Sequence, residues 1–505
     1  MHILAFHAQA MQHRGDPAIW ITGIVYFVVV AAIGVWATRR TRTAKDFFVA
    51  GEGIGVWPTA LASMSAAISG FAFIGGPGLV YQTGMSAMFI MLPAALTGAM
   101  SAWVLAKRMR LLGEFRGLVT IPDAIGVRYR SPAAQGLSGI AILIAVIGYM
   151  ATQILALGIV IDAIFGTGLT VGIWIGTAIT LAYSVAGGIL AGVYTDVFQG
   201  TLMAVASVLV FMVTLQVGGG LSGISRTLLA SSQPALLSPW GTLGPIAALS
   251  LFFVFGMGSL GQPHVIHKFY MIRDPRKLKW LPLMVTSAIM LTMLLYYGVG
   301  AAMRALTESG QMVSLIRTPD RVTPTFLLER APLLLAGIVF SGVAAAIMST
   351  VNSFMNIGAA VMTYDLPKAL GRTPSNALSS GRVWTIAISL AAALIAQMSG
   401  ALVVFLGLFG WGLFASTIVP SLAIGLNWHG ATREGAIASI LTGLVTTLTL
   451  ETLRFDRIGA ITLPAGVSPS GIALILSLLV FFTVSWLTRH RPQNMDPIVR
   501  LVMDA

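Results

Sequence analysis

Long runs of apolar residues, separated by short stretches that carry charges or turn residues, dominate this chain. A run of 18 or more apolar residues is long enough to cross the roughly 30 Å hydrocarbon core of a bilayer as a helix. Such runs predict thirteen membrane-spanning helices, near residues 18 to 38, 55 to 80, 85 to 106, 136 to 158, 168 to 185, 188 to 217, 245 to 266, 280 to 303, 331 to 362, 383 to 399, 401 to 426, 434 to 450 and 470 to 487. The pattern is that of an all-α membrane protein.

The composition excludes most other classes of protein. Of 505 residues, 56% are apolar and 9% are charged, with a mean hydropathy of +0.88, whereas a soluble domain carries about 25% charge. A water-facing surface for a chain of this size cannot be built from so few charges. The chain has no cysteine, which excludes disulfides, thiolate metal sites and a cysteine nucleophile.

The basic residues indicate how the chain is oriented. Of the 30 Lys and Arg residues, 22 fall in one alternate set of loops, including Lys268 after the seventh span. Because cytoplasmic loops are rich in Lys and Arg, the N-terminus is predicted outside and the C-terminus in the cytoplasm. The net charge of +13 is then an orientation signal and does not indicate a nucleic-acid partner. The first apolar run is too long for a signal peptide and is interpreted as a retained span.

Two spans are interrupted by glycine and proline. The second contains Ser69-Gly70 and Gly75-Gly76-Pro77-Gly78, and the seventh contains Gly256, Gly258, Ser259 and Gly261-Gln262-Pro263. The two spans are five apart and therefore cross the bilayer in opposite directions, as the first helices of two inverted five-helix repeats would. Breaks of this kind survive in a membrane where they line a site. The alternative is that these glycines serve close helix packing.

Polar groups inside the predicted spans point to a cation. Ser349, Thr350, Asn352 and Ser353 cluster in the ninth span, where hydroxyl and carbonyl oxygens suit a hard cation. Asp196 is the only carboxylate well inside a predicted span, and we interpret it as an ion ligand, a proton carrier or a gate element. The alternative is a shallow position at a helix cap.

Three other motifs lack the context that their chemistry needs. Gly256, Gly258 and Gly261 spell a dinucleotide motif without the flanking strand. Two G-x-S-G strings, around Ser138 and Ser222, lack a histidine partner for a serine protease. His264 and His267 have metal-ligand spacing but no third ligand in view, so we interpret them as interfacial or capping residues.

At these residues the sequence resembles the sodium:solute symporter family. The similar stretches are residues 45 to 51, 69 to 84, 187 to 199, 261 to 264, 348 to 350 and 411 to 443, in the family's order. The resemblance implies the leucine-transporter fold with two inverted five-helix repeats, one extra helix before them and two after. The implied organisation is an extracytoplasmic segment (1–17), the extra first helix (18–44), the first repeat (45–217), the second repeat (245–426), two C-terminal helices (427–488) and a cytoplasmic tail (489–505).

The resemblance also implies the ion sites. A sodium site would use the carbonyls of Ser65, Ile68 and Ala346 and the hydroxyls of Ser349 and Thr350. A second sodium, present in some members, would use Ser349 together with Asp196, Asn352 and Ser353. Asn352 replaces the more usual hydroxyl, and Ala67 stands where proline carriers have an acid.

Solute choice is where the family diverges. Phe255 and Ser259 stand where proline carriers have Trp and Tyr, which argues against proline itself, and Ala72 stands where sugar carriers have a glutamine. The residues expected to form the solute pocket are Phe71, Phe73, Gln153, Phe255, Ser259 and Trp411.

The predicted function is sodium-coupled symport of a small organic solute, an amino acid or a monocarboxylate, across the cell inner membrane or plasma membrane. The alternatives are a proton-coupled or uncoupled carrier of the same fold in which Asp196 titrates, and a sodium symporter of the sugar or sialic-acid type. A sensor role lacks a signalling segment after the last span, and an enzyme lacks a nucleophile and base pair. The expected partners are the solute, Na⁺ and the lipid bilayer, with no obligatory protein partner.

Overall fold

The protein is a bundle of helices. The computed structural model describes residues 16–39, 55, 57–58, 61–62, 65, 69–272, 275–372, 377–399, 403–455, 467–491 and 495–504. Within these ranges the chain contains no β-strand. Ten helical stretches in this part of the chain are long and apolar enough to cross a membrane, so the protein is a multi-pass membrane protein.

The N-terminal half contains nine of the helices that we number in chain order. They are α1 (Pro17–Thr38), α2 (Gly76–Thr83), α3 (Met88–Ser101), α4 (Lys107–Arg116), α5 (Ile121–Tyr129), α6 (Pro132–Phe165), α7 (Leu169–Gly218), α8 (Gly220–Leu229) and α9 (Gly244–Gly258). Single π-helical turns at Phe71–Gly75 and Ala102–Ala106 lead into α2 and α4, and short 3₁₀ turns occupy Gly84–Ala87 and Pro234–Leu237.

The C-terminal half begins at the second helix break. Its helices are α10 (Pro263–Ile266), α11 (Leu281–Glu308), α12 (Val322–Arg330), α13 (Leu333–Ala360), α14 (Leu366–Ala369), α15 (Ala377–Met398), α16 (Val403–Ile418), α17 (Arg433–Phe455), α18 (Pro469–Thr488) and α19 (Pro497–Asp504). 3₁₀ turns lie at Ser259–Gly261, His267–Met271, Pro275–Trp280 and Pro319–Arg321, and π-helical turns at Val361–Asp365 and Val419–Ile424.

Local sequence signals account for the ends of the longest core helix, α6. The Ser131 hydroxyl accepts a hydrogen bond from the Ala134 backbone N–H, and Pro132 occupies the first turn, where its missing N–H costs nothing. Gly166 ends the helix in the left-handed conformation, with φ of 66°. The 34 residues between these signals form the central pillar of the bundle.

Small residues allow the core helices to approach closely. A Cβ atom added to Gly172 of α7 would lie 2.5 Å from the carbonyl oxygen of Gly158 in α6, so the two backbones touch where they cross. Helices α6, α7 and α13 pack against one another, and α1 packs on α7 and α13. These three core helices carry Gln153, Asp196 and Ser349, respectively, which belong to the candidate site.

The second and seventh predicted spans are both interrupted, as the sequence predicted. A regular helix is absent at Ser69, and the chain continues through the π-helical turn into α2. In the seventh span, α9 gives way to a 3₁₀ turn and then to Gln262, whose φ and ψ of −74° and 108° are extended. Both interruptions face the centre of the bundle.

The C-terminal end of α2 and the segment before α9 are joined. The Thr242 backbone N–H, just before α9, donates to the Thr83 carbonyl oxygen at the end of α2 over 3.2 Å. A Cβ atom on Gly84 would lie 2.1 Å from the Leu236 carbonyl oxygen, and one on Gly241 would lie 2.1 Å from the Thr83 carbonyl oxygen. Both glycines have positive φ, 71° and 51°, so neither a side chain nor a different backbone conformation is tolerated at this junction.

One boundary of the predicted span pattern differs in the structure. The boundary expected between residues 185 and 188 is not seen, because α7 is continuous over 50 residues. Its two adjacent glycines weaken a helix by only about 1 kcal/mol each, and the aliphatic residues around them continue it. The total of thirteen spans stays a prediction, since ten long apolar helices are found among the residues that the structure describes.

Candidate functional site

The break in the first interrupted helix is held by the side chain of Gln153. The Gln153 Oε1 atom accepts a hydrogen bond from the Gly70 backbone N–H over 2.7 Å. A Cβ atom on Gly70 would lie 2.7 Å from Ile347 of α13 and 2.8 Å from Ala156 of α6, so glycine is needed at this position. The Ser69 hydroxyl lies 3.3 Å from the Tyr149 hydroxyl on the same face of α6. Helix α6 thus supplies two polar groups to the break.

The break in the second interrupted helix is braced from within and packed against α16. The Gln262 Nε2 group donates to the Gly258 carbonyl over 3.0 Å, and the Ser259 hydroxyl donates to the Phe255 carbonyl over 3.0 Å. A Cβ atom on Gly258 would lie 2.4 Å from Trp411 Nε1. The glycine therefore allows the indole ring of α16 to lie directly on the α9 backbone.

A small cavity of about 40 Å³ lies between the two breaks. Aromatic rings form much of its wall. The Phe71 and Phe255 rings stack with centroids 5.7 Å apart, and the Trp411 ring lies 5.1 Å from Phe255 and 6.4 Å from Tyr149. The lining residues are Phe71, Ala72, Met91, Ala94, Gly98, Tyr149, Phe255, Ser259, Gln262, Val265, Val285, Ile289 and Trp411.

Four of the six predicted solute residues, Phe71, Phe255, Ser259 and Trp411, line this cavity. Two lie elsewhere. Gln153 supports the helix break from behind, and Phe73 is fully packed in the core while its carbonyl accepts a hydrogen bond from Thr323. Phe73 is two residues beyond Phe71 along a helical turn, so its side chain points away from the one that reaches the cavity.

Two side chains that line the cavity have a buried polar atom without a hydrogen-bond partner among the described residues, Trp411 Nε1 and Gln262 Oε1. The same holds for Gln153 Nε2 and His264 Nδ1, which do not line it. Unpaired buried polar groups cost free energy, and native proteins keep few of them. One donor, on Trp411, and one acceptor, on Gln262, fit a polar ligand that supplies the missing partners.

The polar cluster of α13 lies on the helix whose Ile347 packs against the break at Gly70. Ser349, Thr350, Asn352 and Ser353 are all buried. The Thr350 hydroxyl donates to the Ala346 carbonyl oxygen over 3.0 Å, so the two oxygen atoms proposed as sodium ligands lie side by side. Ile68, another of the proposed ligands, lies outside the described residues.

Ser65, the remaining proposed ligand of this site, packs against α7. Its hydroxyl donates to Met203 Sδ over 3.7 Å. A Cβ atom on Gly200 of α7 would lie 3.0 Å from the Leu61 carbonyl oxygen, so the chain before the first helix break lies against α7 here. Asn352 also lies against α7, since a Cβ on Gly192 would come within 2.0 Å of its Nδ2 atom.

Asp196 is not at a shallow helix cap but is buried in the bundle, next to Ser349. Its Oδ2 atom forms an ion pair with Lys268 Nζ at 2.6 Å, and both side chains are 1% exposed. Lys268 also donates to the Ala62 carbonyl oxygen. Lys268 was expected among the loop charges. It lies instead inside the bundle, because Asp196 provides the counter-charge that its burial requires.

Both histidines of the seventh span, interpreted from the sequence as interfacial or capping residues, are also buried in the bundle. His264 lies between the rings of Tyr149 and Phe354, with centroids 6.4 and 4.7 Å away. His267 Nε2 lies 2.9 Å from the Val119 carbonyl oxygen. In the part of the chain that the structure describes, no three His, Cys, Asp or Glu side chains are grouped to hold a metal ion.

Helix α1 is fastened to the same region by Tyr26. The Gln199 Nε2 group of α7 donates to the Tyr26 hydroxyl over 2.9 Å, and that hydroxyl lies 3.6 Å from Met348 Sδ of α13. Sequence reasoning missed Tyr26, Tyr149 and Lys268. Only Tyr149 left a signal, since it lies one helical turn before Gln153 on the same face.

Two interrupted helices, together with the polar cluster of α13, define the class of the protein: a secondary transporter. The family model for the sodium:solute symporter family matches residues 47–443. The chain belongs to the sodium:solute symporter family, which makes it a transporter and not an enzyme.

Relatives of known function are proline transporters. The osmoregulated proline transporter OpuE of Bacillus subtilis is 27% identical over 472 residues, covering 92% of this chain and 94% of its own. The high-affinity proline transporter PutP of the same organism is 28% identical over 435 residues, covering 82% and 88%.

Two solved structures share the fold. A Na⁺-coupled sialic acid symporter, in its substrate-bound outward-open state, superimposes with a TM-score of 0.76 at 16% identity, covering 94% of this chain and 98% of its own. Mhp1, a nucleobase-cation-symport-1 family transporter, gives a TM-score of 0.53 at 15% identity, covering 91% and 98%. These likenesses agree with the leucine-transporter fold that the sequence implied.

Proposed function

We propose that the protein is a sodium-coupled symporter that imports a small amino acid by alternating access, with a monocarboxylate as the second candidate. The observation that supports this most directly is the aromatic cavity between the two interrupted helices. Two of its lining side chains, Trp411 and Gln262, have buried polar atoms without a partner among the described residues, and α13, which carries the oxygen-rich cluster, packs against the break at Gly70.

The chemistry of the cavity favours a zwitterion. The Trp411 indole N–H is a donor for a carboxylate, and Gln262 Oε1 is an acceptor for an ammonium group. None of the described residues that line the cavity is charged. An amino acid carries both charges and no net charge, so it suits a site with a donor, an acceptor and no fixed counter-ion. A monocarboxylate has a net negative charge and would need sodium as its counter-ion.

Sodium is proposed to bind where the first interrupted helix meets α13, through the carbonyls of Ser65, Ile68 and Ala346 and the hydroxyls of Ser349 and Thr350. Five oxygen ligands suit a hard monovalent cation, and exposed carbonyls at a helix break are their usual source in this kind of fold. The adjacency of the Thr350 hydroxyl and the Ala346 carbonyl supports this arrangement.

Sodium and solute would act on the same helix break from its two sides. Gly70 is fixed by Gln153 on the solute side, while Ser65 and Ile68 would bind the ion on the cytoplasmic side. Each ligand then holds the break in the geometry that the other needs. Because such coupling is reciprocal, solute must tighten sodium binding by the same factor that sodium tightens solute binding.

We further propose that the N-terminus lies outside and the C-terminus in the cytoplasm of the cell inner membrane or plasma membrane. The bias of Lys and Arg toward one set of loops supports this orientation. Labelling of single cysteines placed at residue 2 and residue 505, in a chain that has no native cysteine, measures it directly.

The function is tested by uptake into proteoliposomes of radiolabelled amino acids, monocarboxylates and sialic acid, with and without an inward sodium gradient. Ser349→Ala is expected to abolish sodium-driven uptake. Ser341→Ala is the matched control, because Ser341 is a buried serine two turns earlier on α13 that bonds only to its own helix in the structure. Trp411→Phe keeps an aromatic ring in place of the indole but removes the N–H, and is expected to raise KM.

Other outcomes select other functions. Uptake that is equal with and without sodium, together with a wild-type result for Ser349→Ala, would favour the proton-coupled or uncoupled carrier. Sodium-driven uptake of sialic acid or a sugar, and not of amino acids, would favour the sugar and sialic-acid type of symporter.

A further inference from the structure

The ion pair between Lys268 and Asp196 occupies the place expected of a second ion. Asp196 is the residue that would carry the negative charge of a second sodium site together with Ser349, Asn352 and Ser353. Its Oδ2 atom is instead 2.6 Å from the ammonium of Lys268. An ammonium group and a sodium ion carry the same charge and seek the same oxygen ligands.

We propose that the ammonium group of Lys268 serves as a built-in cation at this second site, so that the carrier binds one sodium ion per solute and not two. This inference rests on the proposed sodium-coupled function. It concerns the ion stoichiometry, which depends on how many cation sites the solvent can fill.

The surroundings of Lys268 support the assignment. Its ammonium is bound by a carboxylate and by the Ala62 carbonyl oxygen, the types of oxygen that hold a cation in a protein. Both charged side chains are 1% exposed. A buried carboxylate without a counter-charge is strongly disfavoured, so Asp196 needs one cation at all times, and the chain itself supplies it.

The position of Lys268 also separates the two proposed ion sites. Lys268 follows the break in the second interrupted helix and reaches across to Ala62, in the cytoplasmic half of the first. Ser349 lies next to Asp196, while the Thr350 hydroxyl turns back to Ala346. Lys268 thus neutralises the carboxylate, so an ion at the first sodium site need not serve as its counter-charge.

The test measures sodium stoichiometry in wild type, Lys268→Gln, Asp196→Asn and the double variant. In proteoliposomes, the membrane potential at which net solute flux reverses gives the number of ions per solute. We expect one sodium per solute and a Hill coefficient for sodium near one in wild type. In Lys268→Gln the freed carboxylate is expected to bind sodium, which raises the Hill coefficient toward two.

The remaining variants keep the test decisive if Lys268→Gln is inactive. Sodium-dependent thermal stability of the purified proteins reports binding without transport. The double variant removes both charges and is expected to recover the stability that either single variant loses, and to keep a single sodium site. Lys368→Gln is the matched control. Lys368 also pairs with an aspartate, Asp123 at 2.5 Å, but it is half exposed and lies on α14, outside the α13 cluster.

Two sodium ions per solute in wild type would overturn the inference whatever the variants do. So would a double variant that binds fewer sodium ions than wild type, because that would make Asp196 a sodium ligand. Absence of any sodium effect in wild type would instead contradict the proposed function itself, so the two failures are distinguishable.

Discussion

The side-chain oxygen of Gln153 lies 2.7 Å from the backbone nitrogen of Gly70, and this contact ties the first interrupted helix to α6. The N–H of a residue at a helix break has no partner within its own helix. Gln153 provides one, and it does so beside the cavity proposed for the solute. The position of the break is therefore set by a side chain 83 residues away.

Replacing Gln153 by leucine removes this acceptor and leaves the Gly70 N–H buried and unpaired. We expect a loss of about 1–3 kcal/mol in stability and a larger loss of uptake, because the break no longer has one fixed geometry. Thermal unfolding and initial uptake rates measure both. Thr152→Val is the control, since the Thr152 hydroxyl is buried next door with no partner among the described residues. Equal effects of the two variants would contradict the role of Gln153.

Gly258→Ala places a methyl group where the Trp411 indole now lies, 2.4 Å from its Nε1 atom. Overpacking of this kind typically costs about 1–3 kcal/mol. The same free energy, taken from solute binding, corresponds to a roughly 5- to 150-fold weaker affinity. We expect KM for the solute to rise by about tenfold or more. Gly256→Ala is the matched control, because its nearest contact would be Pro93 Cβ at 3.4 Å. An unchanged KM in Gly258→Ala would show that Trp411 does not contact the solute.

Asp320 predicts a pH dependence of stability. It lies in the segment between α11 and α12, where one carboxyl oxygen accepts the Val403 backbone N–H over 3.0 Å at the start of α16. Burial raises the pKa of Asp320 from 3.8 to about 6, against the smaller lowering effect of the Val403 hydrogen bond. The other carboxyl oxygen has no partner among the described residues, so the charged form is poorly compensated.

The raised pKa means that the folded protein binds this proton more tightly than the unfolded chain. The resulting stabilisation is complete below pH 3.8 and is lost as the pH rises through about 6, with an upper size of about 3 kcal/mol. Asp320→Asn keeps the hydrogen bond to Val403 without the charge. The difference in thermal stability between wild type and this variant should grow from pH 4 to pH 7. A constant difference would contradict the assignment.

Tyr26→Phe tests the attachment of α1. The variant removes the hydroxyl that joins Gln199 of α7 to Met348 of α13, and a buried Gln199 amide left unpaired costs about 1–3 kcal/mol. We expect lower thermal stability and a weaker apparent affinity for sodium, since Met348 precedes Ser349. Tyr194→Phe is the control on the same pair of helices, because Tyr194 is 37% exposed and its ring meets Trp36. Identical results would show that α1 is only a peripheral helix.

The interrupted helices were predictable because glycine and proline act locally. Ser69-Gly70 and Gly261-Gln262-Pro263 weaken a helix wherever it packs, so their position in the sequence is enough to place the breaks. The same holds for Ser349 and Thr350, whose hydroxyls are conspicuous in an aliphatic span. These features need no knowledge of what lies opposite.

The partners of those residues were not predictable from one sequence. Lys268 looks like a loop charge at the end of an apolar run, and only the fold brings it to Asp196, 72 positions earlier. Phe71 and Phe73 are equally aromatic, yet the turn of the helix points one into the cavity and the other into the core. Pairing across the bundle depends on helix rotation, which hydrophobic periodicity does not determine in a chain that is apolar on all faces.

At the junction of Thr83 and Gly84 with residues 236–242, the ends of the two interrupted helices are held together. Backbone meets backbone there, without long side chains that could stretch or re-form elsewhere. When one half-helix tilts, the other must follow. We therefore expect these two helix ends to move together when the bundle rearranges.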